Sequence, residues 1–503
     1  MPVDDSHAHT APRELIREHQ PRGAGADDED ISMRVYARTH LSLTTSSGLV
    51  WRGSFLIGLV SDASQPRAAR ACRDPSGPGG IWLRYRRERA AFPVTMSPVR
   101  HVSSPRALTQ TAPGERPPGA WRYSSHLALV LSGGGARGAY HVGVLAGLAE
   151  RLPGLEFPIL SGMSVGAINT LYLAAHQGPL PTAVAGLRAA WDRLTSEEVY
   201  RVRPARLAGS MLRWVWHSAT GRRRGPVAVH GLADTRPLRA FLARCVDPGG
   251  VDANIVYGRL RSVALSAMSY TTGRSVTFVQ GAGDTPTWER AERIAVRTRL
   301  TLDHVMASAA LPILFPAVRI GAEFYGDGSV RQTAPLAPAL HLGARAIVAI
   351  GLTTPRRATS TPRAGDYPSA AEALGLLFEA IFLDALEADA ERLDRVNQLL
   401  SALPPHIPAP DGLRPVELLL LHPTRDLADL AAGQGRLLPP GVRRIVRAMG
   451  GQRDAASEFL GFLLFHPVHT ARLVEAGYDD VRAQWPAIER FFERLERTGN
   501  QQS

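Results

Sequence analysis

The chain has 503 residues, 45% of them hydrophobic, enough for a full-sized core, and length alone suggests about two to four domains. Its formal net charge is +12 and all 58 basic residues are arginine, a mark of GC-rich coding more than of selection for a partner, so no nucleic-acid partner is expected. Two distant cysteines, Cys72 and Cys245, exclude a disulfide framework and a CxxC metal site, and no apolar run reaches the ~18 residues of a membrane span.

The opening stretch MPVDDSHAHTAPRELIREHQ lacks the basic-then-apolar order of a signal peptide, which leads to a cytoplasmic expectation. Residues 1–123 are dominated by Pro, Gly, Ser and Arg with weak apolar periodicity, and read as a low-complexity, disordered extension or as sequence upstream of a later start such as Met96. A second region, 124–355, has the texture of a globular domain. The short apolar run at 126–131 predicts a buried strand, followed by a glycine-rich loop and a helix over 139–152 with Val142, Leu145, Ala146 and Ala149 on one face. FPILSG at 157–162 predicts a second strand, then a serine turn, then another helix. Strand–loop–helix repeated in this way predicts an α/β fold with a parallel sheet. Further strands are expected at 261–270, 274–281 and 345–352, and a helix over 302–312 stopped by Pro312. The third region, 356–503, is mainly helical: one long pattern at 369–400, two or three helices within 457–495, and a candidate strand at 416–423, all packing on or capping the core.

Ser164 stands in Gly162-Met163-Ser164-Val165-Gly166, a G-x-S-x-G pattern in which a serine occupies a sharp strand-to-helix turn. Flanking glycines permit the turn, because a Cβ there would strike neighbouring strands. The following helix aims N–H groups and its positive end toward the serine. Alone, the pattern also fits an ordinary N-capping serine.

Gly133, Gly134, Gly135, Ala136, Arg137 and Gly138 form the loop after the first strand, and contain a G-x-G-x-x-G spacing. A dinucleotide-binding oxidoreductase would use the same spacing, but it wants an acidic residue at the end of the next strand, where this chain has ILSGMS. Loops leaving adjacent parallel strands share one sheet edge, so this loop is expected beside Ser164. There its backbone N–H groups, those of Gly134, Gly135 and Ala136 foremost, would receive a substrate oxyanion. Arg137 would fix the loop or add positive potential near a phosphate.

A serine needs a base. His141, His176, His304, His341, His422, His466 and His469 fall in the globular part, none in a convincing strand-end position. Asp327, flanked by Gly326 and Gly328 after a short strand, is the better candidate, although an Asp-Gly pair standing alone reads as a β-turn.

Taken in order, SGGGARG (132–138), GMSVGA (162–167) and YGDGS (325–329) resemble the patatin-like phospholipase family. The likeness extends through HVMASAALPILFPAVRI (304–320) and APLAPALHLGARAIVAIG (334–351), and the tail is similar to bacterial members. It implies a three-layer α/β/α sandwich with a mainly parallel sheet, and a Ser–Asp dyad in place of a triad. Carried over, Ser164 is the nucleophile, Asp327 the general base, and Gly133 to Gly138 the oxyanion loop. One departure is Ser329, where the family usually has Gly or Ala. The resemblance implies two-step acyl transfer from a lipid or phospholipid ester to water, with no metal or cofactor. Transfer to an alcohol by the same site, or a catalytically silent membrane-associated scaffold, are the alternatives. SMLRWVWHSATGRRRG (210–225) sets Trp214 and Trp216 beside arginines, a segment suited to peripheral contact with a bilayer interface or, equally, to a helix on the core.

Overall fold

The computed structural model describes residues 126–202, 231–354, 370–382, 384–404, 406–407, 409–448 and 457–501. Its strands are β1 (Leu127–Leu131), β2 (Ile159–Met163), β3 (Arg201–Val202), β4 (Ala233–Asp234), β5 (Ser262–Ser269), β6 (Ser275–Gly281), β7 (Glu289–Arg290), β8 (Arg293–Arg297), β9 (Val318–Ile320), β10 (Glu323–Asp327), β11 (Ala346–Ile350) and β12 (Glu417–Leu421). One sheet runs in the order β12-β11-β1-β2-β5-β6-β8-β7, and its first five strands are all parallel. β3 and β4 form a separate ribbon. The helices that position the site are α1 (Ala139–Arg151), α2 (Val165–Ala175), α3 (Leu180–Trp191), α4 (Arg236–Cys245), α5 (Leu302–Ser308), α6 (Ala337–His341), α7 (Ala370–Phe382), α8 (Asp384–Ser401), α9 (Ser457–Leu463), α10 (Pro467–Ala483) and α11 (Trp485–Gln501).

Successive side chains of a strand point to opposite faces, and here both faces are covered. Leu127, Leu129 and Leu131 of β1 join Ala346, Val348 and Ile350 of β11 in one apolar cluster, beneath α1, α2, α10 and α11. Ala128 and Val130, with Ile347 and Ala349, enter a second cluster beneath α6 and α8. That makes three layers, α/β/α. It also explains the unbroken apolar strands LALVL and AIVAI, since parallel strands buried on both faces have no polar side to show. Each fully buried leucine contributes about 1.5–3 kcal/mol relative to exposure.

The C-terminal region adds more than helices. β12 extends the same sheet, pairing in parallel with β11 from Ala346↔Glu417 to Ile350↔Leu421. The helical pattern at 369–400 forms two helices, α7 and α8. Three helices occupy 457–501, and α10 packs along α1. Gly143 and Gly477 let the last two approach, since a Cβ on either would come within 1.9 Å and 2.4 Å of the other helix's carbonyl oxygens. Among the described residues, no helix is long and apolar enough to cross a membrane.

β10 is the strand that makes the site. β2 runs parallel to β5 up to Met163↔Ser266. β10 runs antiparallel to β5 and ends at Asp327↔Ala267. β6 holds the other edge of β5 through Met268, so β2 and β10 lie on one edge and meet end to end. The residue after β2, Ser164, therefore faces the last residue of β10. The helix expected to reach Pro312 is shorter: α5 ends at Ser308, and the carbonyl of Ala310 turns aside to accept the N–H of Asp327 at 2.8 Å.

Candidate active site

Ser164 is the single residue between β2 and α2, and its backbone takes φ 53, ψ −125. A non-glycine residue at positive φ costs about 1–3 kcal/mol and needs its surroundings to hold it. Its N–H donates to Ser308 Oγ at 2.9 Å, and that hydroxyl donates to the Ser266 carbonyl at 2.6 Å. Gly166 sits against β1, where a Cβ would be 2.2 Å from the Leu131 carbonyl oxygen. Gly162 faces the first turns of α2, with Thr170 Oγ1 at 2.3 Å from a Cβ placed there. Both glycines are required by close approach, and the strained dihedral falls on the serine.

The Ser164 hydroxyl donates to Asp327 Oδ2 at 2.6 Å. Asp327 Oδ1 accepts the N–H of Ser329 at 2.9 Å. The carboxyl is fully buried. Burial pushes its pKa from the ordinary carboxylate value up to about 7, against the opposing pull of hydrogen bonds from Ser164 and Ser329. Gly328 lets this turn lie on β5, since a Cβ would meet the Ser266 carbonyl oxygen at 2.1 Å.

The glycine loop lies alongside. Gly134 has φ 156 and Gly135 φ 59, so the chain turns directly from β1 into a short 3-10 turn, Gly135–Gly138, that continues as α1. The N–H groups of Gly133, Gly134, Gly135 and Ala136 donate to no acceptor among the described residues. A Cβ on Gly133 would lie 3.1 Å from Ser164 Cβ, so the loop borders the serine directly. Arg137 is buried, with its guanidinium 4.6 Å from the centre of the Phe462 ring. The loop also rests on main chain from α9, because a Cβ on Gly135 would be 2.2 Å from the Phe462 carbonyl oxygen.

The hydrogen bond of the Ser164 hydroxyl goes to Asp327 and to none of the described histidines. His141 is buried in α1 with Nδ1 3.4 Å from Asn169 Nδ2, and desolvation lowers its pKa to about 3, which keeps it neutral. Three supports carry no signal in the sequence. Ser308 is one. Asn169 is another: it donates to the Gly138 carbonyl at 3.0 Å and accepts from Trp191 Nε1 at 3.0 Å, tying the loop to α2 and α3. Phe462 is the third. Trp214 and Trp216 lie outside the described residues.

An apolar cavity opens beside the serine, with an empty volume of about 700 Å³ including its mouth. Ser164 and Gly135 line it together with α2, α3 and α4, through Ile168, Leu187, Trp191, Leu238 and Leu242. Such a volume is within the range of small-molecule sites.

The fold is thus an α/β/α sandwich with a strained serine at the end of a central strand. Residues 129–340 match the family model described as patatin-like phospholipase. Among solved structures, it is similar to human GIVD cytosolic phospholipase A2 in complex with methyl gamma-linolenyl fluorophosphonate, at 14% identity and TM-score 0.33, covering 74% of this chain and 59% of that one. It is similar to VipD from Legionella pneumophila, at 13% identity and TM-score 0.24, over 70% of this chain and 67% of that one. Similarity to the type III effector ExoU is 14% in identity and 0.25 in TM-score, over 67% of this chain and 53% of that one. The chain thus spans about three-fifths of the length of the phospholipase A2 it resembles. No curated protein matches it.

Proposed function

We propose that the chain hydrolyses acyl esters of phospholipids or related lipids, with Ser164 as nucleophile and Asp327 as general base, within a catalytic region spanning about residues 124–355. The observation that carries this reading is the 2.6 Å hydrogen bond from Ser164 Oγ to a buried carboxylate, at the mouth of an apolar cavity. Asp327 accepts the hydroxyl proton as Oγ attacks the ester carbonyl. A carboxylate with its pKa near 7 is a stronger base than one at its ordinary value, and so better matched to the task. Negative charge forms on the carbonyl oxygen and is received by the unpaired amides of the glycine loop. Collapse returns the proton from Asp327 to the leaving alcohol and leaves an acyl chain on Ser164. Asp327 then activates a water that releases the fatty acid. The cavity supplies dry surface for the acyl chain, at about 0.8 kcal/mol per buried methylene.

The test is labelling of Ser164 by a fluorophosphonate probe, together with hydrolysis of a chromogenic acyl ester by wild type, Ser164→Ala and Asp327→Asn. Both variants are expected to fold and to lose hydrolysis by about 10⁴-fold or more. Full activity in either one removes the assignment. Products analysed with added glycerol separate hydrolysis from acyl transfer.

A further inference from the structure

We propose that the hydroxyl of Ser329 is a further hydrogen-bond donor to the substrate oxygen that the glycine loop receives, an inference that rests on the Ser164–Asp327 reading above. Ser329 is 5% exposed. Its backbone N–H is committed to Asp327 Oδ1 at 2.9 Å, but its hydroxyl makes no hydrogen bond of good geometry among the described residues. A buried hydroxyl without such a bond is uncommon and calls for an explanation.

Its surroundings supply one. A Cβ placed on Gly133 would come within 2.4 Å of Ser329 Oγ and 3.1 Å of Ser164 Cβ. The hydroxyl, the first glycine of the loop and the attacking side chain therefore border one small volume. On the other side the hydroxyl bears on the Asp327 carboxylate and favours its ionised form. Ser329 thus stands between the place where negative charge starts and the place where it arrives. A serine hydroxyl turns freely about its Cβ–Oγ bond. When Ser164 attacks, its proton neutralises Asp327 and the charge appears on the substrate carbonyl oxygen beside Gly133. At that moment the neutral Asp327 becomes the weaker acceptor, and the Ser329 proton gains a stronger one in the new oxyanion. A donor that bonds more strongly in the transition state than at rest lowers the barrier without tightening substrate binding.

Ser329→Ala removes the donor at almost constant volume, and Ser329→Cys keeps the fold with a much weaker donor. Each would be assayed on a chromogenic acyl ester from about pH 5 to about pH 9, with thermal melts and a Ser164→Ala control in parallel. The expected result is a fall in plateau kcat of about tenfold to a hundredfold. KM stays in place, the midpoint of the acid limb moves up because Asp327 loses a hydroxyl that favours its ionised form, and the thermal melts show both variants folded. Wild-type plateau kcat in both variants overturns the inference. So does a shifted acid limb with an unchanged plateau, which would mean that the hydroxyl serves Asp327 alone. Should Ser329→Ala fail to fold, the Cys variant decides by the same criteria. If Ser164→Ala retains activity, the underlying dyad reading fails and takes this inference with it. If Ser164→Ala is dead and Ser329→Ala is as fast as wild type, only the present inference fails.

Discussion

Among the described residues, two that are not glycine have positive φ, and they could hardly be housed more differently. Ser164, at φ 53, is buried and held by a chain of hydrogen bonds through Ser308 to Ser266. Ile313, at φ 69, is 71% exposed. A β-branched residue in that region is a genuine outlier, yet what ties it down is main chain: its carbonyl accepts the N–H of Leu232 at 3.0 Å. Ser164 lines the cavity, as do Leu311 and Phe315 on either side of Ile313 in the chain. The strain at Ser164 delivers a hydroxyl to a carboxylate. At Ile313 it only turns the chain from the end of α5 toward β9. A strained dihedral therefore points to chemistry when side chains from other elements are organised around it.

The comparison can be broken at Ser308. Ser308→Ala deprives the Ser164 N–H of its acceptor, at a cost of about 1–3 kcal/mol in stability. If the elbow depends on that bond, kcat falls about tenfold or more by displacement of the hydroxyl; denaturant titration and steady-state kinetics measure the two effects. Unchanged kcat would show that the glycines alone hold Ser164. A smaller effect follows from Asp327. Its pKa is about 7 in the folded chain, raised from the ordinary carboxylate value by burial. On the proposed mechanism activity needs this carboxylate ionised, so kcat/KM is expected to fall as pH drops below about 7. Stability runs the other way. The folded state holds a proton that the unfolded chain releases between about pH 4 and about pH 7, so the contribution of Asp327 is lost as pH rises across that window. Asp327→Asn should therefore gain in Tm relative to wild type from pH 4 to pH 8, and a constant difference would argue against the buried charge. The smallest effect belongs to Ile313→Gly, which relieves strain at a solvent-exposed position. It should stabilise by about 1 kcal/mol or less, with activity near wild type. Loss of activity there would erase the distinction between the two strained residues.

Much of the fold is legible in the sequence, and for a physical reason. Strands buried on both faces must be apolar throughout, so LALVL, AIVAI and ELLLL announce themselves, as does the helix that follows each glycine-flanked turn. Glycines are legible too, because close approach leaves no alternative: Gly166 would strike Leu131, and Gly328 would strike Ser266. What stays hidden are contacts set by tertiary geometry. Nothing distinguishes the hydroxyl of Ser308 from any serine on a helix until α5 is laid against β5. The early end of α5 is hidden for the same reason, since Ala310 gives its carbonyl to a strand that follows fifteen residues or so later. Nor does a pattern of apolar residues announce that Phe462 will support the glycine loop, more than 300 positions after it in the chain.

That last contact has a consequence for synthesis. Ser164 and Asp327 leave the ribosome well before β12 arrives to cover the open edge of β11, and before Phe462 comes to lie beneath Gly135 and Arg137. Until then a nascent chain holds both side chains, but the glycine loop lacks the main chain on which it rests in the folded protein. A chain that ends between 351 and 416 would leave the edge of β11, an apolar strand, uncovered.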